Sequence, residues 1–177
     1  ANSTRHLYTS RWQRKLLEGY IGRPTAGRTV FNGIPSAQLD AAELRLQKRL
    51  PFGKHRDYHT VAYAAAPTRG LDRMLTVWPE ILAAIPNATL FVYYRIDTVK
   101  QFWRSAYYNN VKVVEQMQAV LEALIAKNAV VFRGQVNQDD LCEEFLQMGV
   151  LAHPSAHPET YMTQSIRAAA AGMRVVS

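Results

Sequence analysis

The stretch VLAHPSAHPETYMTQSIRAAAAGMRVV, residues 150–176, sets the reading of the whole chain. Apolar runs at Val150-Leu151-Ala152 and Val175-Val176 bracket two prolines, the lone carboxylate Glu159, and an alanine-rich segment closed by Gly172. Pro154 and Pro158 exclude a helix between His153 and Glu159, so this part is a loop. The alanines favour a helix from about Tyr161 to Ala171, and Gly172 is a natural stop. The stretch therefore reads strand, loop, helix, strand. A proline-flanked carboxylate just before a helix is an arrangement suited to holding a ligand.

The same alternation runs upstream. Short apolar runs at Thr60–Ala65, Thr89–Tyr94 and Val130–Phe132 predict strands. Helices are predicted at Leu71–Ile85, with Pro79 inside it, at Val111–Ala126 and at Asp139–Met148. Strands that are apolar on both faces and alternate with helices indicate an α/β, Rossmann-like, doubly wound parallel sheet. Before it, residues 10–21 suit a helix capped by Ser10, Thr29–Phe31 a short strand ended by Asn32-Gly33, and residues 36–50 a charged helix. Pro51-Phe52-Gly53 and the basic run after it read as a linker. The expected organisation is an extension, residues 1–58, packed on a Rossmann-like domain, residues 59–177.

Composition limits the function. The chain has 177 residues, 48% hydrophobic and 20% charged, which is the balance of a globular protein. No apolar run approaches the roughly 20 residues that span a bilayer. The N-terminal residues carry Arg5, Arg11, Arg14 and Lys15 rather than a signal-peptide core, so the expected location is cytoplasmic. Cys142 is the single cysteine, which excludes an internal disulfide and a multi-thiolate zinc site. The net charge of +7 favours an anionic partner, whether nucleic acid, anionic lipid or a phosphorylated ligand, or else a solvated basic surface.

Topology indicates where a ligand would bind. In open parallel sheets it sits beyond the carboxyl ends of the strands, at the switch in strand order. With order 3-2-1-4-5 the loops meeting there are Ala66–Gly70 and Pro154–Thr160. Arg69, beside Gly70 and a helix N-terminus, suits a phosphate, because guanidinium and free N–H groups both favour anions. Pairing with Asp72 is the alternative for Arg69. Backbone N–H groups at Tyr161-Met162-Thr163 are further candidate donors, unless Thr160 or Thr163 caps them. Glu159 could accept hydrogen bonds from sugar hydroxyls, or serve only as a helix-terminal carboxylate. His153 and His157 are four apart but lie in a proline loop, so they are not read as metal ligands, and no metal site is expected. Tyr93-Tyr94-Arg95 suit base stacking or a buried strand end equally.

Taken in order, these residues resemble a family. Ser10-Arg11-Trp12-Gln13, Asn32-Gly33-Ile34, Arg69-Gly70, Gly134-Gln135-Val136, Pro154-Ser155 with Glu159, and Ala169-Ala170-Ala171-Gly172 with Val175-Val176 are similar to the nucleotide-sugar-binding, C-terminal half of GT-B glycosyltransferases of the group 1, family four type. The resemblance implies retaining sugar transfer from a nucleotide-sugar donor, UDP- or GDP-linked, with no cofactor or metal. Glu159 would be the catalytic carboxylate at the donor sugar. Arg69, Gly70, Met162 and Thr163 would contact donor phosphate, and Gln135 and Val136 would line the base pocket. Two positions depart from the family. Arg167 stands where a second Glu usually holds the ribose, and it would meet ribose or phosphate instead. Ala64 stands where a second basic residue is usual. The resemblance also implies an N-terminal GT-B domain as partner, with this chain covering one half of such an enzyme. A non-catalytic binding or scaffold module, with nucleic acid as a less favoured partner, is the alternative.

Overall fold

The computed structural model describes residues 6–34, 36–50, 56–106, 109–159 and 162–177. Five parallel strands form the central sheet: β3 (Asp57–Tyr63), β4 (Thr89–Val92), β5 (Val130–Phe132), β6 (Met148–Ala152) and β7 (Arg174–Val176), in the order β5-β4-β3-β6-β7. Counted from β3, this is the expected 3-2-1-4-5 order. The switch lies between β3 and β6, and the expected α/β doubly wound class holds.

Alternate residues of the strands serve the two faces. Tyr63, Leu90, Val92 and Val130 point into a cluster with Leu71, Leu75 and Trp78 of α3 (Leu71–Ala84), Val99 and Trp103 of α4 (Ile96–Ala106), and Leu121 and Leu124 of α5 (Val111–Ala126). The Trp78 indole N–H donates to the Ala129 carbonyl at 3.0 Å, so this buried polar group is satisfied. On the opposite face Ala62, Tyr93 and Leu151 meet Leu141 and Phe145 of α6 (Gln138–Gln147) and Ala168 of α7 (Thr163–Ala170). Leu39, Ala42 and Leu46 of α2 (Ser36–Arg49) complete that cluster.

The expected extension, residues 1–58, divides. Its helix α2 belongs to the second core cluster, and Arg45 and Arg49 pair with Glu143 of α6. Asp57 and Tyr58 are already in β3. Residues 51–55 of the expected linker lie outside the described residues. The preceding β1 (His6–Tyr8), α1 (Arg11–Ile21) and β2 (Gly27–Thr29) form a separate two-stranded parallel unit. The Ser10 hydroxyl accepts the Gln13 N–H, as expected of an N-cap. The Glu18 carboxylate accepts the Thr25 N–H, which ties the return turn to the helix and holds its pKa below the usual range.

Three strands, one helix and one side chain differ from expectation. The first strand starts and ends earlier than Thr60–Ala65, which releases Ala64 and Ala65 into the loop. The strand placed at Thr29–Phe31 is Gly27–Thr29, because its register is set by β1, which the sequence reading did not include. The strand expected to reach Tyr94 stops at Val92. Helix α4 was also not expected. Tyr93 offers no ring face to a base: it is buried, its hydroxyl donates to Glu144 at 2.7 Å, and its ring meets Phe145 edge-on.

Candidate donor site at the switch point

Two loops leave the carboxyl ends of β3 and β6 side by side. The first is a single 3-10 turn, Pro67–Arg69, ended by Gly70 at φ +93°. A Cβ placed on Gly70 would lie 2.1 Å from the Pro154 carbonyl oxygen, so only glycine fits both this backbone conformation and this approach. The contact draws the two loops together and sets the spacing of the side chains beyond them.

Those side chains are the two expected. Arg69 Nε lies 3.3 Å from Glu159 Oε1, with both groups about one-third exposed. Arg69 therefore reaches across the switch to Glu159, residues far apart in sequence. The same Glu159 oxygen lies 3.5 Å from His153 Nε2. His153 is 8% exposed and its Nε2 has no hydrogen-bond partner, so the approach to Glu159 falls short of a bond. In sequence His153 reads as one of two histidines in a proline loop, and its place beside Glu159 comes from the fold. Its position directly after the apolar run of β6 was the available signal.

Helix α7 begins at Thr163 with Met162 as its N-cap residue, and no side chain caps it. Thr160 and Tyr161 lie outside the described residues. Arg167, the fifth residue of α7, is 7% exposed. Its Nη1 donates to Gln164 Oε1 at 2.9 Å, and its Nε has no partner. No carboxylate pairs with it among the described residues. A guanidinium has donors only, so this position suits an acceptor-rich group such as phosphate more than a hydroxyl pair that needs an acceptor. Gln135 and Val136 follow β5, at the same carboxyl edge of the sheet. β5 is two strands from β3, about 10 Å away at ordinary strand spacing. Gln135 is exposed, and Val136 packs against the second core cluster.

A hollow of about 270 Å³ adjoins the Arg69 turn, bounded by Thr68, Arg73, Phe102, Ala156 and His157. A larger one, about 580 Å³, lies between α3 and α5 and is lined mainly by Leu75, Val77, Trp103, Met117 and Val120. Asp72, Arg73, Thr76 and Gln116 also line this groove between helices. Cys142 is fully buried and burial pushes its thiol pKa up, so it is no nucleophile. No group of His, Cys, Asp and Glu among the described residues is placed to hold a metal ion.

No family model and no curated protein matches this sequence. Solved structures do match. An Anabaena protein, HepE, crystallised in complex with UDP and glucose, superposes with a TM-score of 0.63 at 17% identity, over 96% of this chain and 42% of that one. An α,α-trehalose-phosphate synthase (UDP-forming) from Burkholderia vietnamiensis gives 0.65 at 12% identity, over 94% and 44%. A sucrose-phosphate synthase from Thermosynechococcus elongatus gives 0.62 at 17%, over 97% and 39%. The chain has the fold of a GT-B half. It spans about two-fifths of the length of these neighbours. In this GT-B half the β3–β6 switch is the junction that carries Arg69 and Glu159. No helix among the described residues is long and apolar enough to cross a membrane.

Proposed function

We propose that this chain is the nucleotide-sugar donor-binding half of a retaining glycosyltransferase. The observation that carries the reading is the Arg69–Glu159 pair. A cation suited to diphosphate and a carboxylate suited to sugar hydroxyls come from two loops locked together at the sheet's switch point. The UDP and glucose bound by HepE, a protein of the same fold, support the ligand class. In this reading Arg69, with the N–H groups at Gly70, Met162 and Thr163, takes the diphosphate. Arg167 adds a second cation toward phosphate or ribose. Gln135 and Val136 flank the base, and Glu159 holds the sugar.

Sugar transfer then needs a second wall that brings an acceptor to the donor, since juxtaposing the reactants supplies a large part of the rate. We assign that wall to an N-terminal GT-B domain. The β1–α1–β2 unit supports this. Helix α1 has no buried residue, and Trp12, Leu16 and Tyr20 recur on one of its faces, with Tyr20 90% exposed. Leu7 and Val30 are exposed beside it. An apolar surface of this kind marks an interaction site.

The test is calorimetric titration of the chain with UDP, GDP and ADP. Saturable binding of one of them, weakened by substitution of Arg69, supports the reading. A chain that binds none at millimolar ligand is instead a glycosyltransferase-like scaffold module.

A further inference from the structure

The unpartnered buried nitrogen of His153 is left unused by the donor reading above, on which this inference rests. His153 follows β6 directly. Its backbone is pinned on both sides, the N–H donating to the Val176 carbonyl at 2.8 Å and the carbonyl accepting the Ser155 N–H at 2.8 Å. The imidazole therefore has little freedom to leave. Its Nε2 lies 3.5 Å from Glu159 Oε1, the one oxygen that Arg69 also approaches. A single carboxylate oxygen stands between a permanent cation from the β3 loop and a titratable base from the β6 loop.

A diphosphate arriving at Arg69 competes with Glu159 for the guanidinium. Two anionic groups then share one cation in a site that is partly shielded from water. A base able to restore the balance is His153, 3.5 Å from the Glu159 carboxylate. Among the described residues, the ion-pair contacts beside it are Glu159 from its own loop and, through that carboxylate, Arg69. The Val176 carbonyl of β7 accepts the His153 N–H, and Nη1 of Arg167 in α7 donates to Gln164. We infer that His153 is a positioning residue for the donor: as Arg69 turns to the diphosphate, the His153 imidazole takes one proton from solvent and holds the Glu159 carboxylate in its place. The proton returns to solvent when the nucleotide leaves, and no covalent bond changes. Glu159 is thereby kept oriented toward the sugar after its arginine partner has been drawn away.

Two measurements on the whole chain test this. The first needs no ligand. The His153 imidazole titration is followed by NMR, its signal identified by its loss in His153→Gln. Arg69→Ala is expected to move the midpoint up, because the competing cation is gone, and Glu159→Gln to move it down. Midpoints that coincide in all three proteins overturn the coupling. The second measurement is UDP binding by calorimetry in buffers of different ionisation enthalpy, above the His153 midpoint. Wild type is expected to take up a substantial fraction of a proton per UDP, and His153→Gln to bind UDP with that uptake lost. UDP binding without uptake, or uptake unchanged in His153→Gln, overturns the role of His153 alone. A wild type that binds no UDP overturns the donor reading and this role with it.

Discussion

Replacing Arg69 with alanine removes the guanidinium that lies 3.3 Å from Glu159 and, on the donor reading, its contact with the diphosphate. A hydrogen bond to a charged group contributes about 1.5–3 kcal/mol. Against this stands the ion pair that must open in the free protein. Its side chains are 35% and 29% exposed, so solvent screens it, and such a pair is worth about 0.2–1 kcal/mol. The difference leaves a loss of roughly 0.5–3 kcal/mol, or about 2- to 100-fold weaker UDP binding. Arg69→Lys should recover part of the loss, since lysine keeps the charge without the planar fork. Glu159→Gln should act in the opposite direction on bare UDP, tightening it by at most about 1 kcal/mol because Arg69 is released beforehand. The same variant should weaken a full nucleotide sugar, whose hydroxyls lose the carboxylate. Isothermal titration of the variants with UDP and UDP-glucose separates these effects. Equal UDP affinity in wild type and Arg69→Ala would mean that the phosphate is held elsewhere and the switch-point reasoning is wrong.

Gly70→Ala forces a side chain into a left-handed conformation costing about 1–3 kcal/mol, and into the Pro154 carbonyl as well. Urea denaturation should show a stability loss of at least about 2 kcal/mol, and an unchanged midpoint would show that the loops separate freely. Burial raises the phenol pKa of Tyr63 and of Tyr93 above the ordinary value of 10. Both hydroxyls stay protonated in the folded chain where the unfolded chain ionises, so their contribution is complete below pH 10 and declines as pH rises above it. Melting temperatures between about pH 8 and about pH 11 should fall, with a shallower fall in Tyr93→Phe; equal slopes would place the alkaline loss elsewhere. The 177-residue chain alone should transfer no sugar from a nucleotide donor to any acceptor, and robust product formation by it would overturn the two-wall argument.

The sheet was legible because its strands are short apolar runs between glycine, proline and helical patterns. The strand order followed from assuming the doubly wound class. The meeting of Arg69 and Glu159 followed from that order alone, since the two loops after β3 and β6 must be neighbours. Helix α4 was not read, although Ile96, Val99 and Trp103 recur at helical spacing with Asp97 in the first turn. The tyrosines before it drew the strand too far and hid its start. β1 was not read because three residues, His6–Tyr8, carry no periodicity; pairing with β2 defines them. His153 escaped because the sequence shows a histidine in a proline loop, whereas its burial and its closeness to Glu159 are made by the fold. Arg167 was placed on the correct helix, but its lack of a carboxylate partner is a property of packing.

The contact between Gly70 and Pro154 also bears on time. Because the two loops touch through backbone, Arg69 and Glu159 separate by turning their own side chains, with no loop having to swing. Rotation of partly exposed side chains takes picoseconds to nanoseconds, whereas collective loop and domain motions run to microseconds and beyond. Opening of the pair is therefore faster than any encounter with a ligand. The rate at which a nucleotide enters this half-site should follow diffusion and charge, so it should vary with viscosity and ionic strength and show no gating delay.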